Sequence, residues 1–125
     1  MGALKLGLGK NLILRSKKFI YLLKKQRFID GLFLRLRYTT LNNNSDEYIN
    51  ILFTVPKKLI KHAVDRNLIR RRIKESFRLN QFLIKKIPNK LHLVEIIYSY
   101  NSVLCYEKIN KEVIYLLNQF NIMSQ

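Results

Sequence analysis

The stretch Ala63-Val64-Asp65-Arg66-Asn67-Leu68-Ile69-Arg70-Arg71-Arg72-Ile73-Lys74-Glu75-Ser76-Phe77-Arg78 constrains the fold more than any other. It contains neither Pro nor Gly, so nothing in it opposes a helix. At about 100° per residue, Ile69, Ile73, Phe77, Asn80 and Ile84 share one side, while Asn67, Arg70, Arg71, Lys74 and Arg78 gather on the flank beside it. Such a helix buries one edge and presents cations and an amide along the next. That geometry suits an extended phosphate backbone better than a small anion. In a neutral protein the same pattern reads as the solvated face of an ordinary amphipathic helix.

This chain is far from neutral. Its formal charge is +16, from 24 Lys and Arg against 8 Asp and Glu. Charge of that size repels itself in a compact state, and a polyanionic partner relieves it. The excess is concentrated in two blocks. Residues 1–37 hold ten basic side chains and one acid, and residues 57–78 hold nine basic and two acidic ones. Residues 38–56 are net acidic and 79–125 only weakly basic.

With 125 residues, 48% of them hydrophobic, the chain is one domain with enough apolar material for a core. Cys105 is the only cysteine, which excludes an internal disulfide framework and fits a reducing compartment. It reads as a small buried hydrophobe. No apolar run approaches a membrane span, and Lys5, Lys10 and Arg15 break up the N-terminal apolar residues too often for a signal peptide. A cytoplasmic protein is expected.

In chain order, residues 1–13, with Gly2, Gly7, Gly9 and scattered Lys, read as a flexible basic arm, and 14–121 as a single RNA-binding domain. Ser16 caps a short helix through Lys25, with Phe19, Leu22 and Leu23 at helical spacing. Asp30-Gly31 marks a turn. Residues 33–40 alternate as a strand, with Phe33, Arg35 and Arg37 on one face and Leu34, Leu36 and Tyr38 on the other. The Asn-rich loop 41–46 leads to a second strand over 47–55, ended by Pro56 and followed by Lys57 and Lys58. The long helix is expected from about His62 to about Lys85, with Pro88-Asn89 terminating the segment beyond it. Residues 91–100, apolar on both faces, predict a central strand. Ile109, Val113, Leu116, Leu117 and Phe120 predict a closing amphipathic helix over 106–120.

Catalytic constellations are hard to find. His62 and His92 are far apart and lack metal-ligand spacing, the acids are few and scattered, and there is no glycine-rich phosphate loop. A stand-alone nuclease is therefore the weakest reading. The two-helix unit that reads a DNA groove is absent, and a long cationic helix beside a strand bearing aromatic and Arg residues suits folded RNA better than duplex DNA.

The run Val55-Pro56-Lys57-Lys58 followed by Ala63 to Arg78 resembles the signature of the bacterial ribonuclease P protein component, in which a strand ending in paired basic residues leads into a long helix opening Ala-Val-x-Arg-Asn-Arg-x-Lys-Arg. Phe19 in a basic N-terminal helix, the element order and the size also match, and the resemblance covers roughly residues 14–120. It implies an α+β single domain in the order α-β-β-β-α-β-α, with the central sheet packed by helices and the long basic helix in a left-handed crossover. Only three strands are evident here. The fourth is expected either from a split of residues 47–58 or from a short piece near 28–32.

The resemblance further implies the protein subunit of an endoribonuclease whose catalytic groups are on RNA. Its partners would be ribonuclease P RNA and precursor tRNA, with no small-molecule substrate and no membrane. No cofactor is expected on the protein alone, and Mg²⁺ belongs to the RNA–protein holoenzyme. Carried over by position, Lys57, Lys58, Arg66, Asn67, Arg70, Arg71, Arg72, Lys74 and Arg78 would contact the catalytic RNA, and Phe19, Arg35, Arg37 and Tyr38 the 5′ leader. Leu68 stands where the signature has its second arginine, and Arg72, near Leu68 in angle, is expected to compensate in part. The competing reading is a structural RNA-binding protein such as a small ribosomal protein.

Overall fold

The structure is a computed structural model that describes residues 27–42 and 46–124. The helix expected over Ser16–Lys25, with Phe19, and the arm before it lie outside the described residues. The elements are β1 (Arg27–Asp30), β2 (Leu34–Asn42), β3 (Ile49–Thr54), α1 (Ala63–Asn80), a 3₁₀ turn (Gln81–Leu83), β4 (Lys90–Tyr98) and α2 (Tyr106–Met123). From β1 onward this is the expected β-β-β-α-β-α order of a single-domain α+β protein. The fourth strand is the short piece near 28–32, not a split of 47–58.

The sheet order is β1-β2-β4-β3. β2 pairs antiparallel with both β1 and β4, and β3 runs parallel to β4, so α1 is the crossover between two neighbouring parallel strands. β4 is central, as its two apolar faces require. Leu34, Leu36 and Tyr38 of β2, Ile96 and Tyr98 of β4 and Ile49, Ile51 and Phe53 of β3 form the inner face. Ile69, Ile73 and Phe77 of α1 and Ile109, Val113, Leu116, Leu117 and Phe120 of α2 close the core from one side. Phe53 meets Phe77 edge-on at 5.9 Å, and Tyr38 meets Phe120 at 5.0 Å. α1 packs under β3, and α2 under β1 and β2.

α1 ends earlier than its hydrophobic period suggests. The α-helix stops at Asn80, and the 3₁₀ turn carries the chain to Ile84, which is extended yet still buried. Asn80 turns its amide onto the Ser76 carbonyl (2.8 Å), a local bond that competes with further helix. The next reversal has the pattern of a type II turn. Pro88 precedes Asn89, whose φ is 62°, and the Lys90 amide donates to the Ile87 carbonyl at 3.1 Å.

Polar side chains lock the helices to this frame. Glu112 sits within the apolar stripe of α2, and its Oε1 accepts the amides of Phe33 (2.7 Å) and Leu34 (3.1 Å) at the β1–β2 turn. A Cβ at Gly31 would meet that carboxylate, so a larger residue there would have to displace Glu112 from the two amides. Asn110 accepts from Ser76 Oγ at 2.7 Å and Asn80 Nδ2 at 2.9 Å, joining α2 to α1.

Candidate nucleic-acid interface

Three sides of α1 are distinct. Ile69, Ile73, Ser76 and Phe77 are buried. One flank turns toward α2 and carries the contacts of Ser76 and Asn80 to Asn110. The opposite flank lies at the open β3 edge of the sheet and carries Arg66, Asn67, Arg70, Arg71, Lys74 and Arg78. Asn67 and Arg71 are exposed, and Arg66, Arg70, Lys74 and Arg78 are half-buried along their stems.

Local bonds orient this row. Arg70 Nη1 donates to Asn67 Oδ1 at 2.8 Å, which occupies the one acceptor of that pair and leaves Asn67 Nδ2 as a donor. Arg66 Nη1 reaches back to the carbonyls of Ile60 (2.9 Å) and Lys61 (2.7 Å). It thereby shapes the β3–α1 connection, where the Pro56 carbonyl accepts the Leu59 and Ile60 amides (3.1 and 3.2 Å) and Lys57 and Lys58 project exposed. Arg78 is paired with Glu75, and the guanidinium holds the Glu75 carboxyl below its ordinary range. The negative charge of Glu75 thus partly cancels the end of the row.

Arg72 departs from the expected position. Its Nη1 donates to the Leu104 carbonyl at 2.6 Å, at the entrance to α2. It belongs to the α2 side of the helix and is about 100° or more in angle from Arg70, Arg71 and Lys74. That bond engages Nη1 within the protein, on the flank where α2 packs.

The outer face of the sheet bears the other nominated group. Arg35 is exposed, its guanidinium 3.8 Å above the Phe28 ring and its Nε 2.7 Å from Asp30 Oδ1. Arg37 is half-buried and ion-paired with Glu95, which also accepts from Thr54 Oγ1 at 2.5 Å. Its charge is therefore already matched within the protein. Tyr38 must be removed from this surface: it is 3% exposed on the inner face, packed on Phe120. A residue next in sequence to Arg37 faces the opposite way in a strand. Phe33 stays at the rim, edge-on to Tyr100 at 4.9 Å.

Among the other expectations, Cys105 is exposed rather than buried, because it precedes the first turn of α2. His92 is buried on the inner face, shares a 2.9 Å hydrogen bond with Thr40 Oγ1, and is held below its ordinary pKa by desolvation. Two groups that sequence reasoning overlooked shape the framework. Glu112 had a legible signal, an acid inside an apolar helical stripe. The Tyr98 phenol, which accepts the Leu104 amide at 3.1 Å, had none. Among the described residues no helix is long and apolar enough to cross a membrane, and no three His, Cys, Asp or Glu side chains cluster as a metal site.

Known proteins share this arrangement. The ribonuclease P protein of Staphylococcus aureus superposes with a TM-score of 0.70 at 20% identity, over 88% of this chain and 95% of its own. That of Thermotoga maritima superposes with a TM-score of 0.69 at 19% identity, over 85% of this chain and 94% of its own. At such identities the likeness establishes the fold. The sequence itself matches the model of the Ribonuclease P family over residues 9–121, a span that includes the whole cationic row and every described strand. By that match, this chain belongs to the family of the bacterial ribonuclease P protein component.

Proposed function

We propose that this chain is the protein subunit that binds the catalytic RNA of ribonuclease P and the 5′ leader of precursor tRNA, promoting removal of that leader in the cytoplasm. The observation that carries the reading is the row of Asn67, Arg70, Arg71 and Lys74 on the one flank of α1 left open by α2, with Lys57 and Lys58 at the nearby strand exit. Because Asn67 Oδ1 is taken by Arg70, this row presents donors to a ligand. Guanidinium groups match phosphate in a two-bond fork, and Lys74 adds a point charge. The row follows a helix of 18 residues, about 27 Å long, which suits a polyanionic strand.

Arg66 acts at one remove, by holding the connection that carries Lys57 and Lys58. On the sheet, Arg35 stacked on Phe28 offers a cation beside an aromatic ring to a single strand. Arg37 contributes less, because Glu95 neutralises it. In this reading Mg²⁺ and the reacting groups belong to the RNA.

Reconstitution tests the reading. The full chain is mixed with a bacterial ribonuclease P RNA at low Mg²⁺, and cleavage of precursor tRNA at its 5′ end is followed. Stimulation is expected, together with tighter binding of precursor than of mature tRNA. Binding without stimulation, and without preference for the leader, points instead to a structural RNA-binding protein.

A further inference from the structure

The segment after α1 carries a feature that the cationic row does not explain. Phe82 is 77% exposed in the 3₁₀ turn, and Leu79, one turn earlier, is 51% exposed. Lys85 and Lys86 follow, both exposed, and no Asp or Glu occurs anywhere in residues 76–94. The exposure does not come from a loose loop. Ile84 is buried, and Asn121 of α2 grips both sides of it, donating Nδ2 to the Leu83 carbonyl and accepting the Lys85 amide at 3.2 Å. Lys86 is placed as well, its ammonium 4.8 Å from the centroid of the Tyr48 ring. The fold thus holds an aromatic ring out into solvent on a backbone anchored at Leu83 and Lys85, with the Lys86 ammonium also placed.

We propose that Phe82, with Lys85 and Lys86, forms a stacking platform for an unpaired base of an RNA strand, continuing the phosphate-binding row of α1 beyond the end of the helix. The inference rests on the RNA-binding function proposed above. Charge decides the occupant. The formal charge of +16 opposes a second copy of this chain, and the charges that next follow the ring in sequence, Lys85, Lys86 and Lys90, are all cations. A base fits, because its π-face covers the phenyl ring while its phosphates meet the lysines. Phe82 follows Arg78 by four residues, in the 3₁₀ turn just past the end of the helix that carries the row.

The chain has no Trp, so Phe82→Trp introduces its only indole, which can be excited apart from the tyrosines. The full-length variant is titrated through saturation at low salt with a labelled oligouridylate, and separately with an abasic strand of the same length. Anisotropy of the labelled strand reports binding, and indole emission reports stacking. The platform predicts quenching by oligouridylate and none by the abasic strand. It also predicts that Phe82→Ala weakens oligouridylate about tenfold while leaving the abasic strand unchanged. Binding of both strands with unaltered emission, or equal losses for both in Phe82→Ala, overturns the platform and leaves the RNA-binding reading in place. Failure of both strands to bind overturns both. A blue shift that grows with protein concentration and precedes any RNA assigns the surface to self-association and overturns the platform alone.

Discussion

Arg72 and the Leu104 peptide join the cationic helix to the start of α2: Arg72 Nη1 donates to the Leu104 carbonyl at 2.6 Å. The same residue gives its amide hydrogen to the Tyr98 hydroxyl at 3.1 Å, and that hydroxyl donates in turn to the Ser102 carbonyl at 2.5 Å. Both peptide groups of Leu104 are therefore held, one from α1 and one from β4. This grip fixes where α2 enters the core, and with it which flank of α1 remains open.

Arg72→Ala is accordingly a stability variant. It leaves the Leu104 carbonyl without its charged donor at a site where Leu104 is buried, at a cost of about 1–3 kcal/mol. Urea unfolding should show the loss. The slope of log affinity for ribonuclease P RNA against log salt should not change, whereas Arg71→Ala should make it shallower by about one.

Binding through the α1 row should be strongly salt-dependent. If about six phosphates are neutralised, affinity falls by roughly three decades between about 50 and 200 mM salt. Leu68 is half-exposed on the helix, and Leu68→Arg restores the cation that the family signature carries there. It should tighten binding and steepen the slope by about one, with stability nearly unchanged. An unaltered slope would show that the RNA does not reach the Leu68 side of the helix.

Gly31→Ala should lower stability by about 1–3 kcal/mol, because the added methyl drives the Glu112 carboxylate off the Phe33 and Leu34 amides. Glu112→Gln keeps an acceptor and should cost less than Glu112→Ala. Chemical denaturation of the three variants orders them, and a harmless Gly31→Ala would refute the close fit.

Burial gives the protein a weakness to mild acid. His92 is 1% exposed, with Nε2 unpartnered, and desolvation lowers its native pKa. The unfolded imidazole, near 6.5, therefore binds a proton before the native one does. Stability is highest above about pH 6.5 and falls as the pH drops through that value toward the lower native pKa. Urea midpoints at about pH 7.5 and 5.5 should differ for the natural chain, and the gap should narrow in His92→Leu.

Much of this was legible in the sequence. The alternation of residues 33–38 placed Leu34 and Leu36 inward and Arg35 outward, because side chains in a strand repeat every second residue. Tyr38 obeys the same alternation, and its nomination for the leader surface failed by ignoring it. The strand Arg27–Asp30 was weakly visible, since four residues are too few to show a period. Glu112 needed the hairpin of residues 30–34 to explain it, a partner 78 residues away in the chain.

By itself the sequence determined that α1 buries Ile69, Ile73 and Phe77 beside a cationic flank, because the helical repeat alone sets side-chain direction. It also determined, through charge and the Val55–Arg78 signature, the kind of partner. Only the tertiary structure decided which cations are engaged within the protein and which are not. Packing of α2 turned Arg72 to Leu104, the central strand turned Arg37 to Glu95, and the β3 edge left Arg70, Arg71 and Lys74 open. The physical reason is that helical and strand periods assign a side chain to a face, whereas its availability depends on what the rest of the chain packs against that face.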